Sequence, residues 1–260
     1  MDALPRIVSR LVRRYHPVEV VLFGSCARGD AGPDSDVDLL LVVDADQEHN
    51  ARATVFSALG DASVSKDVVV TTPERLSRLG HVRGLVYRNA LREGRRLYRR
   101  RGARTPWWEK AREGAMTPEE VATETQRWLA RADEDLLDAR SLLRSRPRRT
   151  RGACFHAQQS VEKTLKAALI WRGIEPSRTH DLPTLAGLVG SDLALPINES
   201  TLKRMTAWAV DGRYPGEAEP SRPEAVTAIN DARDTLARVR EMLTREGLAS
   251  TRANQAPPSG

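Results

Sequence analysis

Two cysteines in 260 residues, Cys26 and Cys154, give neither a disulfide framework nor a metal-ligand spacing, so a reducing, cytoplasmic setting is expected with both thiols as small apolar fillers. No run approaches the roughly 18 apolar residues of a membrane-spanning segment, which excludes a transmembrane helix and a membrane partner from the expectation. The opening stretch MDALPRIVSRLVRRYH is charged and amphipathic, without the apolar stretch or cleavage site of a signal peptide. There is no internal repeat. What remains is a chain long enough for one large domain or two ordinary ones, each with its own core.

Charge is nearly balanced, 41 Lys and Arg against 35 Asp and Glu, but the arginines cluster. REGRRLYRRRGAR (92–104) and RSRPRRTR (144–151) are dense basic patches. Such patches suit nucleotide or RNA binding, or serve as an Arg-rich solvated surface.

The first hundred residues alternate helical and strand patterns. Leu4, Ile7, Val8, Leu11, Val12 and Tyr15 recur at helical spacing, and VEVVLF (18–23), VDLLLVV (37–43) and KDVVVTT (66–72) read as strands. A helix is expected over 51–60, and another from Thr72 and Pro73 as N-cap and first residue through to Gly94, with RRLYR as a closing short strand. Residues 99–116 lack clean periodicity. Beyond them everything reads as helix: from Thr117-Pro118-Glu120, with capping-box spacing, to about 143; then 150–172, 181–190, 199–210 and 221–246. The expectation is an N-terminal α/β domain with a small mixed sheet at 1–104, a linker at 105–118, an all-α bundle at 119–246 and a disordered tail at 247–260.

Within the α/β half, Asp36 and Asp38 share one face of an otherwise apolar strand. Like charges side by side are unfavourable unless something positive sits between them. Paired carboxylates suit hard divalent cations bound together with substrate phosphates. Asp67 opens the next apolar strand, and strands lie about 5 Å apart, so three carboxylates can converge on one site. Upstream, Gly24-Ser25 ends the first strand. Glycine allows close backbone approach, N–H groups at a helix start favour phosphate oxygens, and Arg28 adds a cation. A Gly-Ser turn also occurs for backbone reasons alone, and Asp67 also reads as an exposed strand end.

Together these elements resemble the nucleotidyltransferase superfamily of DNA polymerase β, most closely its minimal prokaryotic members: an apolar strand, Gly-Ser, a ten-residue gap to Asp-x-Asp within a strand, and a third carboxylate on a later strand. The resemblance covers about residues 15–100. It implies transfer of NMP, AMP first among them, from an NTP. Asp36 and Asp38 would bridge two Mg²⁺ ions, and Asp67 would hold the metal nearest the attacking hydroxyl and help deprotonate it. Gly24, Ser25 and Arg28 would bind the β- and γ-phosphates.

In the helical half, His156, Gln159, Lys163 and Lys166 recur at i, i+3, i+7 and i+10, a polar face for phosphates or for solvent. The stretches ACFHAQQSVEKTLKAALIWRG, THDLPTL and RYP (213–215) resemble the HEPN domain over about 119–245. That family includes metal-independent ribonucleases with an Arg-x4–6-His motif completed by dimerisation, and members that bind nucleotide without cleavage. Arg151 and His156 have the spacing, as does Arg149. The resemblance implies a homodimer through this domain and RNA as a further partner. The acceptor would be a small molecule, as in antibiotic-modifying enzymes, or a protein tyrosine, as in toxin–antitoxin pairs, Tyr214 of this chain among the candidates. A HEPN ribonuclease restrained by the transferase, and a nucleotide-binding regulator without turnover, are the alternative functions.

Overall fold

The computed structural model describes residues 4–32, 35–59, 66–176, 179–210 and 219–248. The Arg-Tyr-Pro segment with Tyr214, and the tail from 249 onward, lie outside them. The chain divides into two compact units between Met116 and Thr117.

The first unit is a four-stranded sheet between helices. Its strands are β1 (Glu19–Phe23), β2 (Val37–Val42), β3 (Lys66–Thr71) and β4 (Arg95–Arg99), in the order β3-β2-β1-β4. β1 runs antiparallel to β2 and β4, whereas β2 and β3 are parallel, so the sheet is mixed. Helices α1 (Leu4–Tyr15), α2 (Ser25–Arg28) and α3 (Glu48–Leu59) are interleaved with these strands. Alternation along the strands sorts their side chains into two cores. Val20, Leu22, Leu39, Leu41, Val68 and Val70 pack on Ile7, Leu11 and Tyr15 of α1 and on Ala51, Val55 and Leu59 of α3. Val21, Phe23, Leu40 and Val42 face the other way. Burial of both faces is why β1 and β2 read as unbroken apolar runs.

The helix expected over 73–94 is two helices, α4 (Pro73–Leu79) and α5 (Val86–Glu93). Thr72 caps the first, its side chain accepting from the Arg75 N–H. The break follows from glycine. Gly84 takes φ +77°, a backbone conformation side-chain-bearing residues resist. At Gly80 a Cβ would come within 2.8 Å of Leu91 Cδ1, so the end of α4 seats directly on α5.

The expected linker also needs correction. Trp107–Glu113 form helix α6, and Trp107, Trp108 and Ala111 are buried with Leu76, Ala90 and Leu91 on the second face of the sheet. The anchor is Glu19, fully buried on β1. Its carboxylate accepts from Trp107 Nε1 at 3.2 Å, from Trp108 Nε1 at 3.0 Å and from Arg96 Nε. The Arg96 guanidinium also lies 5.1 Å from the centre of the Trp108 ring, a cation–π contact. A buried carboxylate needs such donors, and this one draws α6 onto the sheet.

The described residues of the second unit hold helices and no strand: α7 (Pro118–Arg144), α8 (Thr150–Trp171), α9 (Leu182–Val189), α10 (Glu199–Val210) and α11 (Arg222–Arg245). Capping boxes at Thr117/Glu120 and Ser221/Glu224 start α7 and α11. The central helix is α8, whose Ala153, Cys154, Ala157, Val161, Leu165 and Ala168 are fully buried. Burial pushes the Cys154 thiol up to about 12, with Glu224 and Glu219 adding to the rise, which leaves it an inert filler. Among the described residues no helix is long and apolar enough to cross a membrane.

Candidate active site

β1 ends at Phe23, and Gly24 follows with φ +70°, again a conformation suited to glycine. Ser25 then starts the single turn of α2, which Gly29 closes at φ +88°. The antiparallel register pairs Phe23 with Asp38, so the Gly24-Ser25 turn lies beside the start of β2. Cys26 Sγ, 3.4 Å from the Asp36 carbonyl oxygen to which it donates, ties the two segments together.

The parallel register of β2 and β3 pairs Asp38 directly with Asp67. Paired residues of adjacent strands project to the same face about 4.8 Å apart. Asp38 and Asp67 therefore lie on the face of Leu40, Val42 and Phe23, and Asp36 immediately precedes β2. Asp36 and Asp67 are exposed and Asp38 is half-buried. Like charges so arranged, at an open sheet end, make a concentrated negative patch of hard oxygen donors.

Arg28 differs from expectation. Rather than standing free over the turn, its guanidinium donates to Asp30 at 3.1 Å and to Glu93, the last residue of α5, at 3.0 Å. These two hydrogen bonds raise its pKa further. A phosphate must compete with both carboxylates for it.

In the second unit Arg151 and His156 are not brought together. Five helical residues turn through about 500°, leaving their side chains some 140° apart around α8. Arg151 faces Glu219 at 3.8 Å, while His156 Nδ1 lies 2.9 Å from Asp135 Oδ1 on α7. Arg149 is the N-cap of α8. The other oxygen of Asp135 accepts from Lys163, which also donates to Gln159 at 3.1 Å. His156, Gln159 and Lys163 thus share a face as their spacing implies. Asp138 completes a group with Asp135 and His156 whose ligand-type atoms lie within 4.8 Å. The Lys163 ammonium already balances Asp135 there, which makes the group a charged tie between α7 and α8.

Lys166 departs from that face. It is buried and donates to Glu162 at 2.8 Å. Glu162 also accepts from Gln158 at 3.1 Å and lies 3.0 Å from His180 Nδ1. Burial raises its pKa, but the His180 hydrogen bond and the Lys166 charge outweigh burial and bring it down to about 2. A carboxyl depressed on folding contributes stability above its unfolded pKa and loses it as pH falls toward the folded value. Between about pH 4.5 and 2 the helical unit is therefore expected to lose on the order of 3 kcal/mol through Glu162. Urea midpoints measured across that range would check this, and Glu162→Gln should remove that part of the pH dependence. Asp135, Glu93 and Glu162 were not foreseen as site neighbours, since each acts through a partner on another element.

Comparison with known proteins returned two families. Residues 4–100 match the family model for a nucleotidyltransferase domain, and residues 125–242 match that for a HEPN domain. A search of curated proteins found no match. Among solved structures, spectinomycin adenyltransferase AAD(9) from Enterococcus faecialis, crystallised with ATP and spectinomycin, is 12% identical with a TM-score of 0.47 over 92% of this chain and 97% of that one. A nucleotidyltransferase-like protein from Exiguobacterium sibiricum 255-15 is 14% identical, TM-score 0.40, over 94% and 79%. TT1696 from Thermus thermophilus is 26% identical, TM-score 0.40, over 45% of this chain and 96% of that one.

Proposed function

The chain joins a nucleotidyltransferase domain to a HEPN domain, and from that premise we propose that it moves a nucleoside monophosphate, AMP first among the candidates, from an NTP to a hydroxyl of a protein or small molecule. The observation that supports this reading best is the register pairing Asp38 with Asp67, beside the Gly24-Ser25 turn.

In this reading Asp36, Asp38 and Asp67 would hold Mg²⁺. Three carboxylates at one open sheet end are the donor set a hard cation takes, sharing it with substrate phosphates. When bound, Mg²⁺ neutralises charge on the α-phosphoryl group and on the departing pyrophosphate. Asp67 accepts the proton of the acceptor hydroxyl. As that oxygen bonds to the α-phosphorus, the bond from phosphorus to pyrophosphate breaks. The backbone of Gly24 and Ser25, with the Ser25 hydroxyl, receives the β- and γ-phosphates. Arg28 joins them by exchanging Asp30 and Glu93 for phosphate oxygens, a swap of one charge-assisted pair for another. The two domains would act as a fused module of the toxin–antitoxin kind.

The test is incubation of the full chain with each α-labelled NTP and Mg²⁺, with cell lysate as acceptor source. Label in an acceptor with release of pyrophosphate, strongest for ATP and lost with EDTA, is the expected result. Tight NTP binding without product would overturn the proposal in favour of a regulator. RNA cleavage persisting in EDTA and lost in His156→Ala would favour the ribonuclease.

A further inference from the structure

Glu93 breaks a local rule. It is the last residue of α5, where the helix dipole favours a cation and disfavours a carboxylate. Departures from local preference mark places where function has set the residue. The partner that answers Glu93 comes from far along the chain: Arg28 Nη1, 65 residues away, donates to it at 3.0 Å.

The placement is rigid. Arg95 of β4 lies opposite Leu22 of β1, so the chain just before Arg95 runs beside the Gly24-Ser25 turn that follows β1. Gly94 makes the fit close. A Cβ there would lie 2.7 Å from Val21 Cγ1 and 2.0 Å from the Ala90 carbonyl oxygen, so the end of α5 seats directly on β1. Arg28 is tied to the same turn by its backbone N–H, which donates to the Gly24 carbonyl at 3.2 Å, and its long side chain is the movable part. Asp30, the other carboxylate on Arg28, is a different kind of partner. It lies two residues on, with a side chain 60% exposed against 27% for Glu93, and an exposed pair is screened and contributes little.

We propose that Glu93 is a positioning residue that acts through Arg28: it holds the guanidinium in the free protein, yields it to the β- and γ-phosphates of the NTP, and reclaims it as pyrophosphate leaves. This rests on the nucleotidyltransferase reading above. One cation facing two carboxylates is more than neutralised, so a phosphate gains Arg28 only by displacing a charge-assisted bond already made. The nucleotide also has a base and sugar to bind by. Pyrophosphate has phosphates alone, so the same loss brings the product to the point of release first.

Calorimetric titration of the full chain with pyrophosphate, and with α,β-methylene-ATP, which cannot release it, tests the proposal in Mg²⁺. Glu93→Gln keeps the shape and removes the charge, and it is expected to tighten pyrophosphate binding roughly threefold to tenfold. Asp30→Asn should tighten it by less than half that factor. Arg28→Gln should weaken binding severalfold, and in that background Glu93→Gln should have no further effect, because its action passes through the guanidinium. Circular dichroism confirms that each variant is folded. Unchanged or weaker pyrophosphate binding in Glu93→Gln, with affinity still lost in Arg28→Gln, overturns the role of Glu93 and leaves the transferase reading standing. Equal tightening with and without Arg28 also overturns it, since general repulsion would then be the cause. Failure of the wild-type chain to bind either ligand removes the transferase reading and this inference with it.

Discussion

Replacing Asp36 and Asp38 together by asparagine is expected to lower label transfer and pyrophosphate release on the order of a thousandfold or more, without loss of thermal stability. The two halves of that expectation have one cause. Asp38 and Asp67 pair at the open end of β2 and β3, with Asp36 immediately before β2, and their like charges repel in the free protein. Asparagine keeps the shape and removes the charge, so the melting temperature should hold or rise while the donors for a hard cation disappear. A defect of folding would instead lower both readings together. Transfer at the wild-type rate in the double variant would remove the carboxylates from the chemistry altogether.

The second large effect concerns stability. Glu19→Ala removes the acceptor for the Trp107 and Trp108 indole N–H groups and the counter-charge of Arg96. Breaking a buried pair by deleting one partner costs about 3–5 kcal/mol, since the remaining groups keep their burial and lose their compensation. Glu19→Gln leaves an oxygen for the indoles and should cost less. Urea unfolding followed by tryptophan fluorescence would show the first unit melting earlier, with the helical unit's transition in place. An unchanged first midpoint in Glu19→Ala would mean that α6 is held by apolar packing alone.

Glu19 also marks where sequence reasoning reaches its limit. Helices α7 and α11 were readable because their signals are local: a capping box is complete within four residues, as at Thr117 to Glu120. The strand run of β2 carried its two aspartates in plain view, and KDVVV offered the third. By contrast, the partner of Trp107 and Trp108 lies 88 and 89 residues away, and without it a tryptophan pair amid arginines and prolines reads as a connection. The single helix expected over 73–94 failed for a related reason. Apolar spacing continues through Gly80 and Gly84, but the close approach of Leu91 and the positive φ of Gly84 depend on how the two pieces pack. Arg151 and His156 show a spacing that fits a motif while the helix turns its members to different neighbours within one chain.

The register of β3 has a bearing on how such a protein can change over time. Val68 and Val70 are held against α1 and α3 by burial, and that packing alone sets the phase of the strand. A shift by one residue would drive Asp67 toward the core under α1 and α3 and take both valines off it, so the chain resists it. The stretch of sequence leading into β3 can therefore gain or lose residues without detuning the carboxylates. Insertions there change the length of a connection, while the alignment of Asp67 with Asp38 is inherited from the hydrophobic pattern. The chemistry is insulated from the most variable kind of mutation by residues that take no part in it.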